Sequence, residues 1–291
     1  MSTIIKLRAT VDNNTLPIID NDGNETSYFI GQFKNKLLGL GITLSDYKIE
    51  AMSSFIDELI SRNLINHIKY LLPFVGTKTD FESGAIPLID NINNYDTQPD
   101  VNQSTFSYDD DDDIVSYAGN ATATSKKIEI PIKNTSSNIL MVSVNVNGNN
   151  DNNQNYINGV TGNNLLAFSI RRTSTGIVQY TGRTSNGLQA SSFGHREGKC
   201  HFYFGYTNDN KRIIFATNEN NVLSKFNINV ITWNTQLELD NVYIGGVSNW
   251  FVKDNIYIAC VLDASNITSK VITEIDNLIY NLEESLGKSA T

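Results

Sequence analysis

Apolar residues recur at helical spacing in the first quarter of the chain. A stripe that begins at Tyr28 predicts a first helix, which ends at Gly39. A second helix is predicted over about 46–62, with Ser45 as its N-cap. A third, short helix is predicted over about 64–72, where the proline that follows stops it. Three helices of this length cannot bury all their sides alone, so we expect them to pack on the rest of the chain or on a partner.

The hydrophobic pattern changes after Gly76. Short β-rich runs, many of which alternate apolar and polar residues, are separated by polar turns. This is typical of an antiparallel β-sandwich or barrel. An amphipathic helix over 269–286 follows, with Ser265 or Thr268 as its cap. The β-rich runs are Lys127–Ile132, Ile139–Val146, Leu165–Ile170, Ile177–Tyr180, His201–Tyr206, Arg212–Ala216, Lys225–Val230, Val242–Ile244 and Ile256–Leu262.

The chain is therefore expected to have three parts. Residues 1–27 form an N-terminal anchoring segment, residues 28–76 a helical block, and residues 77–291 a sandwich closed by the helix 269–286. We expect the helical block to form a homo-oligomeric interface, with a trimer favoured by analogy, because closed symmetry lets one apolar patch recur on every subunit. On this prediction, a protein lacking residues 1–76 stays folded and monomeric. The apolar stripe of the second helix is Ile49, Met52, Phe55, Ile56, Leu59 and Ile60.

Composition narrows the range of functions. The formal net charge is −9, only 18% of residues are charged, and there are 39 asparagines among 291 residues. This acidic balance argues against binding nucleic acid through a basic surface. The N-terminus lacks the apolar stretch of a signal peptide, and no apolar run reaches the roughly 20 residues needed to cross a bilayer. We expect a soluble protein made without Sec-type export, whose extracellular role would follow release in a virus particle.

The two cysteines are too few for a disulfide scaffold or a zinc cluster. Strand alternation places Cys200 on the same face as Phe202 and Phe204, and His201 on the other face. Cys260 has a similar apolar setting. We therefore predict two buried, unbridged thiols rather than a disulfide or a thiol nucleophile with its base.

Other residues that could carry chemistry give weak signals. His67 is expected to be structural and His195 to be solvated in a loop. The five aspartates Asp109–Asp113 are expected to form a solvated loop, with a structural calcium site as the alternative, because calcium takes oxygen ligands. No cofactor is expected otherwise.

One pair of carboxylates resembles the start of a glycosidase motif. Glu238 and Asp240 have the spacing of the first two acids in Glu-x-Asp-x-x-Glu, which is found on a strand of sandwich-type glycoside hydrolases. Tyr243 occupies the third acidic position. A second catalytic carboxyl at about 5–5.5 Å is then missing, so we expect no enzyme activity, and a polysaccharide-degrading enzyme is the least favoured alternative.

The N-terminal block contains three runs in a fixed order, Tyr28–Phe33, Leu44–Asp46 and Leu72–Thr77, in which a capped helix leads to a Pro-Phe-Val-Gly turn. These runs resemble the pattern of a block found in bacteriophage virion and tail proteins. This chain departs from that pattern with Leu72 before the proline and Thr77 in place of a second glycine. The closing part, from Tyr243-Ile244-Gly245-Gly246 to Ser285-Leu286-Gly287, is similar to the end of the same family.

The resemblance implies a mainly β fold, an antiparallel concanavalin-like (LamG-like) jelly roll, in a protein displayed on a phage particle. The implied function is that of a structural component, as a head fibre, decoration or tail-associated subunit, located in the virion with other virion proteins as partners. The alternative is an adhesin that binds host-surface glycan. Trp250, after a Gly-Gly turn, is the candidate platform for a sugar ring, against the simpler reading of a core tryptophan. The resemblance carries over no catalytic residue.

Overall fold

The computed structural model describes most of the chain from residue 25 to residue 288. The described residues are 25–75, 86–93, 95, 100–101, 106–109, 114–117, 127–135, 137–146, 153–161, 166–184, 187–206, 211–218, 221–224, 229–230, 239–245 and 254–288.

Three α-helices lie in this described part. They are α1 (Glu25–Gly39), α2 (Asp46–Ser61) and α3 (Ser269–Ser285). The side chain of Thr268 caps α3 by accepting a hydrogen bond from the Val271 backbone N–H, whereas Ser45 holds the N-cap position of α2 without a side-chain bond. None of the helices in the described part has the length and hydropathy needed to cross a membrane.

Seventeen strands in the described residues form two antiparallel sheets. Their bounds are β1 Ile68–Pro73, β2 Ile89–Asp90, β3 Asp100–Val101, β4 Phe106–Asp109, β5 Ile114–Tyr117, β6 Lys127–Thr135, β7 Asn138–Val146, β8 Gln154–Val160, β9 Leu166–Arg172, β10 Ile177–Thr184, β11 Gly187–His195, β12 Gly198–Tyr206, β13 Lys211–Asn218, β14 Asn221–Ser224, β15 Asn229–Val230, β16 Leu239–Gly245 and β17 Asn255–Asp263.

We call the two sheets the helix-covered sheet and the open sheet. The helix-covered sheet has the order β14-β13-β12-β7-β17-β1-β2, with β4, β5 and β15 pairing off this path. The open sheet has the order β11-β10-β9-β8-β16-β6-β3. The arrangement confirms the predicted mainly β, antiparallel jelly-roll sandwich with a C-terminal helix.

Two apolar layers bury both faces of the helix-covered sheet. The first lies between the sheets and includes Phe202, Phe204 and Val142. The second lies between the sheet and the helices and includes Tyr203, Met141 and residues of all three helices. Because each face is covered, the central strands β7, β12 and β17 are buried along almost their whole length. Their sequences are correspondingly apolar at both odd and even positions.

The predicted third helix over 64–72 is wrong. A short 3-10 helix, Ile65–His67, leads directly into strand β1, Ile68–Pro73. This strand pairs with β17 in the helix-covered sheet, with Leu71 opposite Cys260. An apolar run of this length fits a strand as well as a helix, and only the long-range pairing decides between them. Part of the predicted helical block is thus a strand of the sandwich, and a protein lacking residues 1–76 would lose a strand with partners on both sides.

The apolar stripe of α2 is covered by the chain itself. Met52, Phe55, Ile56 and Leu59 are at most 4% exposed, and they belong to the layer that α3 and the helix-covered sheet share. The stripe that suggested an oligomer is therefore satisfied within one chain. The homo-oligomer stays a prediction that rests on the resemblance alone.

Candidate functional site

Gly245 and Asp254, which flank the segment that carries Trp250, are both hydrogen-bonded to one strand of the open sheet. Trp250 itself lies outside the described residues, which stop at Gly245 and resume at Asp254. The side-chain amide of Asn158 on β8 donates to the Gly245 carbonyl at 3.1 Å. The Asp254 backbone N–H donates to Gln154 Oε1, also on β8, at 2.8 Å. The positions where this segment leaves and rejoins the sandwich are therefore fixed.

Asp254 also forms a buried ion pair. The Tyr156 hydroxyl donates to Asp254 Oδ2 at 2.5 Å, and Arg172 Nη1 lies 3.8 Å from the same oxygen. Both side chains of this ion pair are at most 1% exposed. Burial raises the pKa of Tyr156 well above its ordinary value, and the neighbouring Asp254 charge adds to the effect. Tyr156 is therefore a neutral donor to Asp254.

A row of polar side chains crosses the outer face of the open sheet. Neighbouring strands place Glu129, Tyr243, Asn158, Ser169 and Thr181 in direct register. Their sequence neighbours Ile128, Ile244, Ile157, Phe168, Ile170 and Tyr180 face the inter-sheet core, so strand alternation directs the polar row away from it. The row combines a carboxylate, a phenol ring, an amide and two hydroxyls on five adjacent strands.

The glycosidase-like acids do not form a described pair. Glu238 lies outside the described residues, and Asp240 is half-buried on β16. Tyr243, which takes the third acidic position of the motif, donates its hydroxyl to Glu129 Oε1 across the strands at 3.5 Å. Sequence spacing could not reveal this partner, because Glu129 lies 114 residues earlier in the chain.

A second polar cluster lies between the helix-covered sheet and α3. His201 Nδ1 is 2.8 Å from Asp276 Oδ1, and His201 Nε2 is 3.1 Å from Glu283 Oε2. Lys199 Nζ lies 3.0 Å from the same Glu283 oxygen. Lys288, just beyond α3, donates through Nζ to the carbonyls of Phe74 and Tyr257. We call Lys199, His201, Asp276, Glu283 and Lys288 the His201 network.

The geometry makes His201 a cation. Both of its ring nitrogens face carboxylate oxygens, which only accept hydrogen bonds, so both nitrogens must donate. Burial lowers the pKa of His201, but Glu283 and Asp276 together outweigh burial and raise it to about 9. Burial raises the pKa of Glu283, and His201 with Lys199 overcomes this and holds it below its ordinary value. Burial lowers the pKa of Lys288 to about 7.

Asp276 is the most heavily bonded acid of this network. Besides His201, it accepts hydrogen bonds from the hydroxyls of Tyr203, at 2.6 Å, and Thr217, at 2.9 Å. The ring of Tyr280 stacks on His201 with 3.8 Å between centroids. The network is nearly fully buried, and its side chains form hydrogen bonds and ion pairs with one another. These features are typical of groups that stabilise a fold rather than of a site that contacts substrate.

The remaining candidate residues are two cysteines and two histidines. Cys200 and Cys260 are buried and form no disulfide, which confirms the thiol prediction, and burial raises the pKa of Cys260. His67 ends the 3-10 helix, with its pKa lowered by burial and partly restored by Asp263. His195 is exposed at the end of β11.

The aspartate run is only partly described. Asp109 ends β4, and residues 110–113 lie outside the described part of the chain. Among the residues that are described, no group of three or more His, Cys, Asp or Glu is arranged to hold a metal ion. The calcium alternative for the aspartate run stays a prediction.

Comparison with known proteins supports the fold. No protein-family model matches the chain, and no curated protein matches it in sequence. Trypanosoma rangeli sialidase matches with a TM-score of 0.51 and 11% identity, over 83% of this chain and 40% of its own. The same sialidase in complex with sialic acid gives the same figures. A structure of botulinum neurotoxin type C, from work on its cell entry through two ganglioside molecules, matches with a TM-score of 0.49 and 9% identity, over 74% of this chain and 52% of its own.

The chain thus spans about 40% of the sialidase that it resembles in structure. At this identity the similarity concerns the fold alone. Neither protein is a phage protein, so the phage resemblance remains an expectation from the sequence. The structure and the comparisons together establish a mainly β, antiparallel sandwich with a helical layer on one sheet.

Proposed function

We propose that this protein is a non-enzymatic module displayed on the surface of a bacteriophage particle, where it binds host-surface glycan through the segment that carries Trp250. The observation that carries the binding role is the fastening of Gly245 and Asp254 by β8. A binding loop on fixed ends loses less conformational freedom when a ligand orders it, which favours affinity. Loops on a rigid sandwich scaffold are also where binding residues are commonly found.

The bonding of the buried acids supports a role without catalysis. In the described part of the chain, the buried carboxylates are Asp90, Asp254, Asp276 and Glu283. Each of them accepts hydrogen bonds or forms an ion pair within the fold. A general acid or base must instead reach a proton of the substrate.

Replacement of Trp250 tests the glycan-binding role. We expect the protein to bind on a glycan array, and Trp250→Ala to weaken the affinity for the best-bound glycan at least about tenfold, which is about 1.4 kcal/mol. The reason is the loss of an aromatic platform for the sugar ring. Isothermal titration measures the change. Trp233→Ala, at the other tryptophan, is the matched control, and equal losses in both variants would refute a specific role for Trp250.

The particle role rests on the resemblance of Tyr28–Phe33, Leu44–Asp46 and Leu72–Thr77 to phage virion proteins. We expect peptides of this chain in purified particles by mass spectrometry, and gold-labelled antibody against it on their outer surface. Its partners there would be other virion proteins and further copies of itself. Detection in the cell lysate but never in the particles would show that the protein is not a virion component.

A further inference from the structure

A lysine, an asparagine and an aspartate from three different strands meet at one end of the helix-covered sheet. Lys69 lies on β1, Asn138 is the first residue of β7, and Asp263 is the last residue of β17. Lys69 Nζ donates to Asn138 Oδ1 at 3.0 Å and lies 3.5 Å from Asp263 Oδ1. Because β17 lies between β7 and β1, the lysine side chain reaches across one strand to the next. A carboxamide and a carboxylate are thus gathered around one amine.

The backbone is irregular on both sides of this contact. The register of β1 against β17 shifts between Ile68 and Tyr70, which is at Lys69. A bulge of this kind changes the direction in which a side chain points. On the other side, the Ser137 carbonyl accepts a second hydrogen bond from Lys69 Nζ at 3.1 Å, and Ser137 has a φ of 56°. Positive φ is uncommon for a residue other than glycine. Two departures from regular geometry therefore accompany the approach of Lys69 to Asn138.

Burial makes the amine of Lys69 a better nucleophile. The side chain of Lys69 is 17% exposed and Asn138 is 2% exposed. Burial lowers the pKa of Lys69, and the neighbouring Asp263 opposes this effect in part. At a given pH, a larger share of this amine is therefore neutral than of a lysine in solvent. Only the neutral amine has the lone pair that can attack a carbonyl carbon, which is how a desolvated lysine becomes reactive.

Asp263 is placed to move a proton between the other two groups. It lies directly opposite Asn138 in the pairing of β17 with β7, so the two side chains are neighbours on one face of the sheet. Ser265 donates to Asp263 Oδ1 from its backbone N–H and from its hydroxyl, which orients the carboxylate. A carboxylate in this position can accept a proton from an amine and pass it to a leaving group. The Asp263 side chain is 32% exposed, so a small product can leave to solvent.

We propose that Lys69 and Asn138 react with each other to form an intramolecular amide bond, with Asp263 as the proton carrier. Neutral Lys69 Nζ attacks Asn138 Cγ, and the Nζ–Cγ bond forms. Asp263 accepts a proton from Nζ and delivers it to Asn138 Nδ2. The Cγ–Nδ2 bond then breaks and ammonia leaves, so the atoms balance without any oxidant or cofactor.

The contact between Lys69 and Asn138 requires only a small movement for this reaction. A hydrogen bond to a carbonyl oxygen leaves the carbonyl carbon about 3.5–4 Å from the donor, and reacting atoms meet at about 3–3.5 Å. Rotation within the flexible lysine stem covers this difference. The bond would join β1 to β7 across β17 and close a loop between residues 69 positions apart, which restricts the unfolded chain. This inference is independent of the proposed glycan-binding function.

The mass of the intact, purified full chain tests the bond. We expect the wild type to be lighter than its sequence by one ammonia, about 17 Da. Lys69→Arg and Asn138→Ala should each have the full mass of their sequences, because one reacting group is missing. Lys270→Arg, at an exposed lysine of α3, is the matched control and should keep the deficit. A deficit that persists in Lys69→Arg would place the loss of ammonia elsewhere and would overturn the inference.

Digestion with trypsin locates the bond. We expect one branched peptide that contains both Lys69 and Asn138, without cleavage after Lys69, because an acylated lysine is no longer a substrate for the protease. On a denaturing gel the wild type should migrate faster than Lys69→Arg, since the bond keeps part of the denatured chain in a closed loop. Both measurements use unfolded protein, so they do not depend on how well a variant folds.

Asp263→Asn tests the proton carrier, because it keeps both linked residues and removes the carboxylate. We expect most chains of this variant to have the full mass of their sequence. A linked fraction equal to that of the wild type would overturn the role of Asp263. The wild type alone decides the main point: if it has its full sequence mass and yields separate peptides for Lys69 and Asn138, the two side chains only form a hydrogen bond and the inference is wrong.

Discussion

Replacing Glu283 by Gln is expected to lower the free energy of unfolding by about 3–5 kcal/mol, because it removes one side of a buried ion pair. Glu283 Oε2 lies 3.1 Å from His201 Nε2 and 3.0 Å from Lys199 Nζ. Both cations are at most 2% exposed, so water cannot take the place of the lost charge. Chemical denaturation at neutral pH measures the loss.

The next residue of the same helix provides the control. Glu284 is exposed, and we expect Glu284→Gln to change stability by no more than about 0.5 kcal/mol, as for most surface substitutions. Equal effects of the two substitutions would mean that Glu283 acts through the general charge of α3 and not through His201 and Lys199.

Stability carried by His201 is expected to disappear as the pH rises from about 6.5 to 9. The pKa of His201 is about 9 in the folded state, whereas a histidine in the unfolded chain has a pKa near 6.5. The folded state therefore binds more protons in this window, and stability falls with pH. The full contribution, about 3 kcal/mol for a shift of this size, is present below the lower value.

His201→Gln isolates this contribution from that of its neighbours. Lys288 has the opposite dependence: its pKa is lowered to about 7, so above this pH the folded state binds fewer protons than the unfolded chain and the cost of its burial declines. The measured quantity is thus the difference in unfolding free energy between the wild type and His201→Gln, recorded from pH 6 to pH 9.5. We expect this difference to shrink steadily, and a constant difference would show that His201 is neutral in the folded protein.

Local patterns in the sequence were sufficient to predict the fold class and the two buried thiols. Alternation along β12 correctly separated Cys200 and Phe202 from His201, because strand geometry alone decides which residues share a face. It could not show that the His201 face is also covered, since the covering acids lie 75 and 82 residues further on. The helix sequence does indicate that these acids are buried. Asp276 and Glu283 are seven residues apart, which puts both acids on the side of apolar Ile272 and Ile279.

The candidate sites depend on pairing that no local pattern contains. The run that forms strand β1 predicts a helix as readily as a strand, because six mostly apolar residues satisfy both periods. Its partner β17 lies about 190 residues further along the chain, so no local pattern shows the pairing. The outer polar row draws its members from five strands between Glu129 and Tyr243. Each member is an ordinary polar residue in its own segment, and only the register brings them into one line.

The pairing of β1 with β17 also governs how the chain acquires its structure. Leu71 meets Cys260, and Lys288, after α3, reaches back to the Phe74 carbonyl. Strand β1 leaves the ribosome long before β17 and consequently waits for it, and part of the apolar side of α2 stays uncovered until α3 has been synthesised. Contacts of such long sequence separation make folding slow. During this interval the N-terminal helices and an unpaired strand are available to chaperones, and also to neighbouring nascent copies of the same protein.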